Sequence, residues 1–415
     1  PAAGAGFMTA VDPWDLIATE RYAESGYPHE LWRRLRQEAP ILRCEPGRDV
    51  SPFYAVTKYE DIVHVSKNPN QFLNAPRLAI FPGIVPPEGG GSPARHLLNM
   101  DPPDHGIFRR IASSRFTPRA LRNLSGAIEK IARDVVRQAP GPGSAFDFVE
   151  CVAAPFPLHV LAEILGVPEA DWDRLFRWTN ETIGSADPEY RQEGEDANAT
   201  ATRSRLELFQ YFAALAEERR ARPADDLASL IANSRPGDEP IPDFEMLSYF
   251  YLIVVAGNET TRNALSGGVM ALIEHPEALA RLRAEPQLLE TAVEEILRWT
   301  TPVIQFTRAA VADCELRGVP IRAGESLCLF YPSANRDEDI FDAPFEVRID
   351  REPNRHLAFG IGEHFCLGAN LARLELRVML KTLLSSWDSL ELTGAPDRLH
   401  SSFVGGIKRL PVRVD

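Results

Sequence analysis

Cys366 lies between glycines, and an amphipathic helix follows at once from Ala369. In the run His356-Leu357-Ala358-Phe359-Gly360-Ile361-Gly362-Glu363-His364-Phe365-Cys366-Leu367-Gly368, the residues Phe359, Gly362 and Gly368 stand at fixed offsets from the sulfur. Glycines let the backbone curl tightly and let a flat molecule approach it. A helix starting just past the cysteine turns its free N–H groups and positive dipole end towards the sulfur. Such a place favours a thiolate over a thiol. The plainer reading, a buried cysteine in a loop–helix turn, has no use for the accompanying Phe and Gly positions.

Two other stretches could do chemistry. In Asp101-Pro102-Pro103-Asp104-His105-Gly106-Ile107-Phe108-Arg109-Arg110, Asp104 is placed as an N-cap, with His105 and Arg109 one turn apart on the same face. Two donors so spaced can hold a carboxylate, although a solvated basic helix end fits the residues alone. The second stretch is Ala256-Gly257-Asn258-Glu259-Thr260-Thr261, inside an apolar helical pattern. Gly257 costs about 1 kcal/mol in a helix interior, and a carboxylate beside a core face needs partners. Such a cost suggests function. Gly257 would leave room for a bound molecule, and the Thr260 hydroxyl can bond a carbonyl one turn back. A kinked helix with a polar notch is the alternative.

These groups need a large scaffold, and 415 residues with 44% hydrophobic and 25% charged residues supply one. The formal charge of −14 argues against nucleic acid and against an anionic membrane surface as partners. Five scattered cysteines with no CxxC pair suit a reducing compartment. The longest apolar run, Tyr249 to Ala256, is too short to span a bilayer. Residues 1–11 read as a cloning remnant and a disordered N-terminus, with Met8 the expected native start, and no signal peptide is visible. A soluble, cytoplasmic protein with residues 12–415 in a single domain is expected.

Helices are expected over 28–39, 59–66, 119–137, 148–165, 169–184 and 198–221, and a strand over 53–57. The Pro- and Gly-rich residues 82–103 read as a substrate-access loop, and polar residues 185–195 as a mobile connector. A pattern from Pro242 to Ile273 predicts a buried helix about 45 Å long. Glu295 and Arg298 can pair at i, i+3. Residues 301–308 read as extended, with Ile304, Phe306 and Arg308 on one side. A hairpin over 314–329, a helix over 371–384 and a tail of short strands follow, with Phe403-Val404 as a wall of a pocket.

The spacing Phe-x-x-Gly-x-x-x-Cys-x-Gly resembles the haem-binding loop of the cytochrome P-450 family, the haem-thiolate monooxygenases. The resemblance covers nearly the whole chain, from about Asp12, and implies a mainly α fold with a smaller β region. Haem b would lie between the long central helix and the helix after the Cys loop, with Cys366 as axial ligand to the iron. The segment around His105 and Arg109 resembles the family's propionate-binding segment, and Arg308 matches another propionate ligand. His364 joins these as a candidate. Ala-Gly-x-Glu-Thr-Thr resembles the family's oxygen-handling groove, so Thr260 and Glu259 are the implied catalytic residues. In the family the Glu295–Arg298 pair is joined by a third arginine, and counting back from His356 places that slot at Glu346, a departure.

The implied reaction inserts one oxygen atom of O2 into a C–H bond of a hydrophobic sterol, branched lipid or terpenoid. Ala256, Val303, Ile304, Phe403 and Val404 would contact that substrate. Electrons would come from a separate ferredoxin and its reductase, with Arg110, Arg115 and Arg373 as a basic docking patch on a monomer. A haem-thiolate sensor without turnover shares the ligand set but has no need of the 257–260 notch. A cysteine hydrolase, with His364 beside Cys366, is the third reading.

Overall fold

The computed structural model describes residues 11–47, 50–82, 94–184 and 187–415. Apart from Val11, the expected remnant at 1–11 lies outside them, as does half of the expected access loop (83–93).

Helix dominates. Near the start come α1 (Thr19–Ser25), α2 (His29–Glu38), α3 (Tyr59–Lys67) and α4 (Asp104–Ser113). Asp104 does not cap α4: Pro103 holds that position without a side-chain cap, and the Asp104 carboxylate instead pairs with Arg95. Asp101 takes the amides of Asn74 and Ala75 at 2.7 and 3.1 Å, and so ties the head of α4 to an earlier turn. In α5 (Pro118–Gln138), the Thr117 hydroxyl accepts the Ala120 amide at 3.2 Å and Pro118 fills the first helical position. The helix expected over 148–165 is split. A π-helical turn, Val149–Ala153, precedes α6 (Pro155–Leu165), because Pro155 offers no N–H to continue the ladder.

Next are α7 (Trp172–Ile183) and α8 (Ala197–Ala221). The connector between them is anchored rather than loose where it is described. Asp187 accepts the amides of Glu189 and His400 at 3.0 and 3.2 Å and pairs with Lys408 at 2.9 Å. After α9 (Leu227–Ala232), α10 (Asp243–Glu274) crosses the molecule as one unbroken 32-residue helix. Its apolar residues bury on nearly every face, against α6, α7 and α8 on one side and α12 (Leu289–Thr300) on another, past the short α11 (Pro276–Ala284). Two helices remain, α13 (Tyr331–Ala334) and α14 (Ala369–Ser386), and α14 packs on α5, α10 and α12.

The β region is smaller. β1 (Ile41–Cys44), β2 (Phe53–Val56), β3 (Phe72–Leu73), β5 (Gln305–Ala310) and β8 (Ser326–Phe330) form one sheet in the order β1-β2-β8-β5-β3, with β2 and β8 parallel. β6 (Cys314–Leu316) and β7 (Val319–Ile321) make a hairpin turning at Arg317 and Gly318, shorter than the one expected over 314–329, because β8 pairs with β2 and β5 in the main sheet instead. β4 (Ala145–Asp147), β9 (Leu390–Leu392) and β12 (Pro411–Val414) form a third unit. β10 (Asp397–Arg398) and β11 (Ile407–Arg409) form a fourth and frame the segment 401–404.

Glu295 and Arg298 are fully buried and bonded at 2.7 Å. The third arginine exists, at Arg351 rather than at position 346: its Nε lies 3.1 Å from Glu295 Oε2. Glu346 joins through its backbone, since its carbonyl accepts from both Arg298 and Arg351 at 3.2 and 3.1 Å. Counting along an irregular segment found the carbonyl position and missed the side chain.

Candidate active site

The loop before α14 is shaped by its own backbone. The Gly360 amide donates to the Leu357 carbonyl and the Cys366 amide to the Phe359 carbonyl, both at 2.9 Å. Gly362 has φ +80°, and a Cβ there would stand 2.5 Å from the Ser66 carbonyl oxygen, so only glycine fits. Phe359 lies under Arg373, whose guanidinium stands 4.6 Å from the ring centre. Arg373 is itself held by Glu294 at 2.6 Å, and His356 Nε2 lies 3.1 Å from the same carboxylate. The Cys loop and α14 are thereby clamped to α12.

Burial pushes the Glu294 carboxyl up, but hydrogen bonds from His356 and Arg373 outweigh it and hold the group at about 2. An unfolded glutamate titrates near about 4.3. The clamp therefore contributes in full above that pH and is lost as the pH falls through about 2. Glu294→Gln should flatten the acid-unfolding curve across this window when ellipticity is followed against pH.

Cys366 is enclosed by the molecule yet its surface faces a cavity. In this cavity burial pushes the thiol up, while the Gly368 N–H and the charges of Arg109 and Arg373 pull it down. Burial wins, so the setting does not by itself favour the thiolate: a metal must supply the deprotonation. The cavity encloses about 1570 Å³, counting space open to solvent. Phe359, Gly360 and Gly368 from the loop line one side, and Ala256, Gly257 and Thr260 from α10 the other.

His105, Arg109, Arg308 and His364 meet on this cavity from three separate segments. The rings of His105 and His364 stand 4.0 Å apart. Among the described residues neither ring nitrogen of the buried His105 has a hydrogen-bond partner, and Glu363 lies 3.5 Å from it. His364 Nε2 also has no partner among the described residues. Burial first, then His105, Arg308 and Arg109, lower the His364 pKa to about 2. Arg308 is buried, and burial lowers its pKa. Among the described residues neither Arg308 nor Arg109 has a carboxylate partner; they donate to the Thr307 and Phe365 carbonyls at 2.8 and 2.6 Å. Buried donors without counter-charge are costly unless an anion completes them. The site fits a flat apolar ligand with carboxylate arms and a metal above the sulfur. A cysteine hydrolase needs an imidazole bonded to its thiol, and His364 Nε2 makes no such bond among the described residues.

On α10 the Thr260 hydroxyl donates to the Ala256 carbonyl at 2.8 Å and faces the cavity. Glu259 points elsewhere: it is buried away from the cavity wall and paired with Arg262, which also donates to Asn180 at 2.8 Å. Burial raises the Glu259 pKa, Arg262 opposes it, and Glu259 Oε1 has no hydrogen-bond partner among the described residues. Gly257 leaves room mainly for α6, because a Cβ there would meet Leu161 Cδ1 at 3.2 Å.

A second chamber of about 960 Å³, on the same measure, shares Ala256, Thr260, Val303 and Phe306 with the first. Phe403 and Val404 wall it, with Val404 bridged to Val303. Ile304 does not reach either space. Thr301 is left-handed at φ +37° and regular strand begins only at Gln305, so the alternation does not extend back. Ile304 packs instead with Leu16, Trp32 and Phe330. Sequence reasoning missed Phe81, which meets Phe403 at 5.0 Å, and His96 and Tyr251 on the chamber wall. It also missed Glu375 on α14, a buried carboxyl on the larger cavity whose pKa burial raises well up. No spacing signal marks these positions. Of the expected basic patch, Arg115 and Arg373 are spent on Asp225 and Glu294, both at 2.6 Å.

No helix among the described residues is long and apolar enough to cross a membrane. A family model for cytochrome P-450 matches residues 167–413. The chain is 38% identical over 393 residues to the steroid C26-monooxygenase of Mycolicibacterium smegmatis, covering 93% of this chain and 90% of that protein. It is 39% identical over 391 residues to the methyl-branched lipid omega-hydroxylase of Mycobacterium tuberculosis, covering 91% and 89%. The crystal structure of a Mycobacterium marinum cytochrome P-450 in complex with pseudoionone matches with a TM-score of 0.90 and 36% identity, covering 98% of this chain and all of that one (100%).

Proposed function

Since this chain belongs to the cytochrome P-450 family of haem-thiolate monooxygenases, we propose that it hydroxylates a C–H bond of an apolar sterol, branched lipid or terpenoid. Residues 12–415 act in it as one domain. Cys366 would ligate the iron through its sulfur, Arg308, Arg109, His105 and His364 would hold the two propionates, and Phe359, Gly257 and Gly368 would lie beside the porphyrin. The observation that carries this assignment is a cavity with a thiol on one wall and, on its rim, two cations with no carboxylate partner among the described residues. The names of the steroid- and branched-lipid-oxidising relatives, together with the apolar lining of the second chamber, support the substrate class.

When bound, the iron porphyrin supplies the activation of dioxygen, and a thiolate ligand favours cleavage of the O–O bond. The chain's residues do the rest. Val303, Ala256, Phe403 and Val404 orient the substrate and, with the aromatic cluster of Phe81 and Phe306, keep bulk water out. Thr260 has its own proton engaged on the Ala256 carbonyl, so its oxygen accepts a hydrogen bond from a water in the cavity. Glu259, next to Thr260 on α10, is the titratable carboxyl that gives and takes the protons reaching that water; burial raises its pKa, and Arg262, itself bonded to Asn180, holds it in place by hydrogen bonding without exchanging protons. Two protons and two electrons are consumed for each oxygen atom inserted, the other atom leaving as water. Redox partners serve the family; here a ferredoxin and its reductase in the cytoplasm are proposed as donors to a monomer.

Thr260→Ala should leave haem content unchanged and lower product per nicotinamide cofactor oxidised by about a hundredfold, the smaller end of proton-transfer effects. Unchanged coupling would remove Thr260 from proton delivery.

A further inference from the structure

His96 stands on the wall of the second chamber but not on the larger cavity that holds Cys366. Tyr251, also confined to the chamber, lies parallel to it, with ring centres 6.2 Å apart and 14° between planes. Phe209 meets the other edge of Tyr251 at 6.2 Å. The His96 amide is fixed by Asn99 Oδ1 at 2.9 Å. The imidazole is thus held by packing and by its backbone, and it is 6% exposed. Its Nδ1 has no hydrogen-bond partner among the described residues. The imidazole lines a mainly apolar chamber whose other polar groups are hydroxyls, among them those of Thr182, Tyr251, Ser401 and Ser402, and it is the one imidazole among the described lining residues, so it is a candidate recognition group for a ligand.

We infer that His96 sets substrate specificity by hydrogen-bonding a neutral hydroxyl or carbonyl group carried by the substrate away from the carbon that is oxidised. The inference rests on the reading of this chamber as the substrate site and narrows it. Burial lowers the His96 pKa to about 4, so the ring is neutral at physiological pH and offers one donor and one acceptor. Either an alcohol or a ketone satisfies it. A carboxylate does not, because the described chamber wall carries no lysine or arginine to balance a buried charge. The preferred class is an oxygenated terpenoid or sterol rather than a free fatty acid.

Three probes sharing one methyl-branched skeleton test this on the haem-loaded protein: citronellol, citronellic acid and the dimethyloctene hydrocarbon. Their Kd values are read from the Soret spin-state shift. Citronellol should bind at least about tenfold tighter than ionised citronellic acid, as an uncompensated buried charge requires. In a cycle with His96→Phe, which keeps the stack on Tyr251, the ratio of hydrocarbon to alcohol Kd should fall by about tenfold. His96→Gln, which restores a donor and an acceptor, should recover it. A ratio that His96→Phe leaves unchanged overturns the inference, as does a preference for the acid, and the wild-type comparison stands even where a variant loses its haem. Should none of the probes shift the Soret band while the reduced carbon-monoxide complex forms normally, the chamber is not the substrate site and the broader reading fails with the narrower one.

Discussion

Cys366→Ser is expected to yield a folded protein that binds haem weakly and has lost monooxygenase turnover by at least about a thousandfold. The reduced carbon-monoxide complex should lose the long-wavelength Soret band that thiolate ligation produces, and take the spectrum of a neutral or histidine-ligated haem. The fold should survive, because the Cys366 side chain packs against cavity rather than core. The loop is shaped instead by backbone bonds such as Cys366 N–H to Phe359 and by the glycine at 362. An alcohol is a hard, weakly acidic donor, and the surroundings already work against an anion at this position, since burial raises even the thiol. A serine oxygen would therefore remain protonated and ligate poorly. Retention of the thiolate-type spectrum would place the iron ligand elsewhere, Cys151 and Cys314 being the remaining half-buried thiols.

Glu295→Leu should abolish soluble holoprotein altogether. The carboxylate is fully buried and takes Arg298 at 2.7 Å, Arg351 at 3.1 Å, the Arg348 amide at 2.9 Å and Asn354 at 3.1 Å. Its removal leaves two guanidinium groups in the interior with carbonyls only. Breaking a buried ion pair by deleting one partner costs about 3–5 kcal/mol, and here two cations are stranded. A whole domain is stable by about 5–15 kcal/mol, so little would remain. Expression and thermal unfolding measure this. Arg298→Lys should fail nearly as badly, because Arg298 also donates to the carbonyls of Asn335, Pro344 and Glu346 at 2.9, 2.9 and 3.2 Å, a fork no ammonium can reproduce. Normal stability of Glu295→Leu would mean that the network is incidental to folding.

Much of the site was legible in the chain, and for local reasons. The bend around Cys366 depends on φ angles that only glycine adopts readily, so it is written as glycine spacing. The long helix α10 is written as a run of apolar residues over 32 positions, and the Thr260 to Ala256 bond is a one-turn interaction. His105 and Arg109 share a helical face for the same reason. Each of these is decided within a few residues, where backbone geometry dictates what neighbours can do.

What the tertiary structure decided is orientation across gaps. Which arginine completes the pair at Glu295 depended on how an irregular segment folds back, and Arg351 rather than position 346 arrived there. Ile304 was drawn into the neighbouring core because a left-handed Thr301 broke the strand's phase. Glu259 turned to Arg262 and away from the cavity, since a buried carboxylate follows the nearest cation. His96, Phe81 and Tyr251 became one wall only when separate segments met. Periodicity constrains a residue relative to its own element; the distance between elements is set by packing of the whole molecule, and these roles depend on that distance.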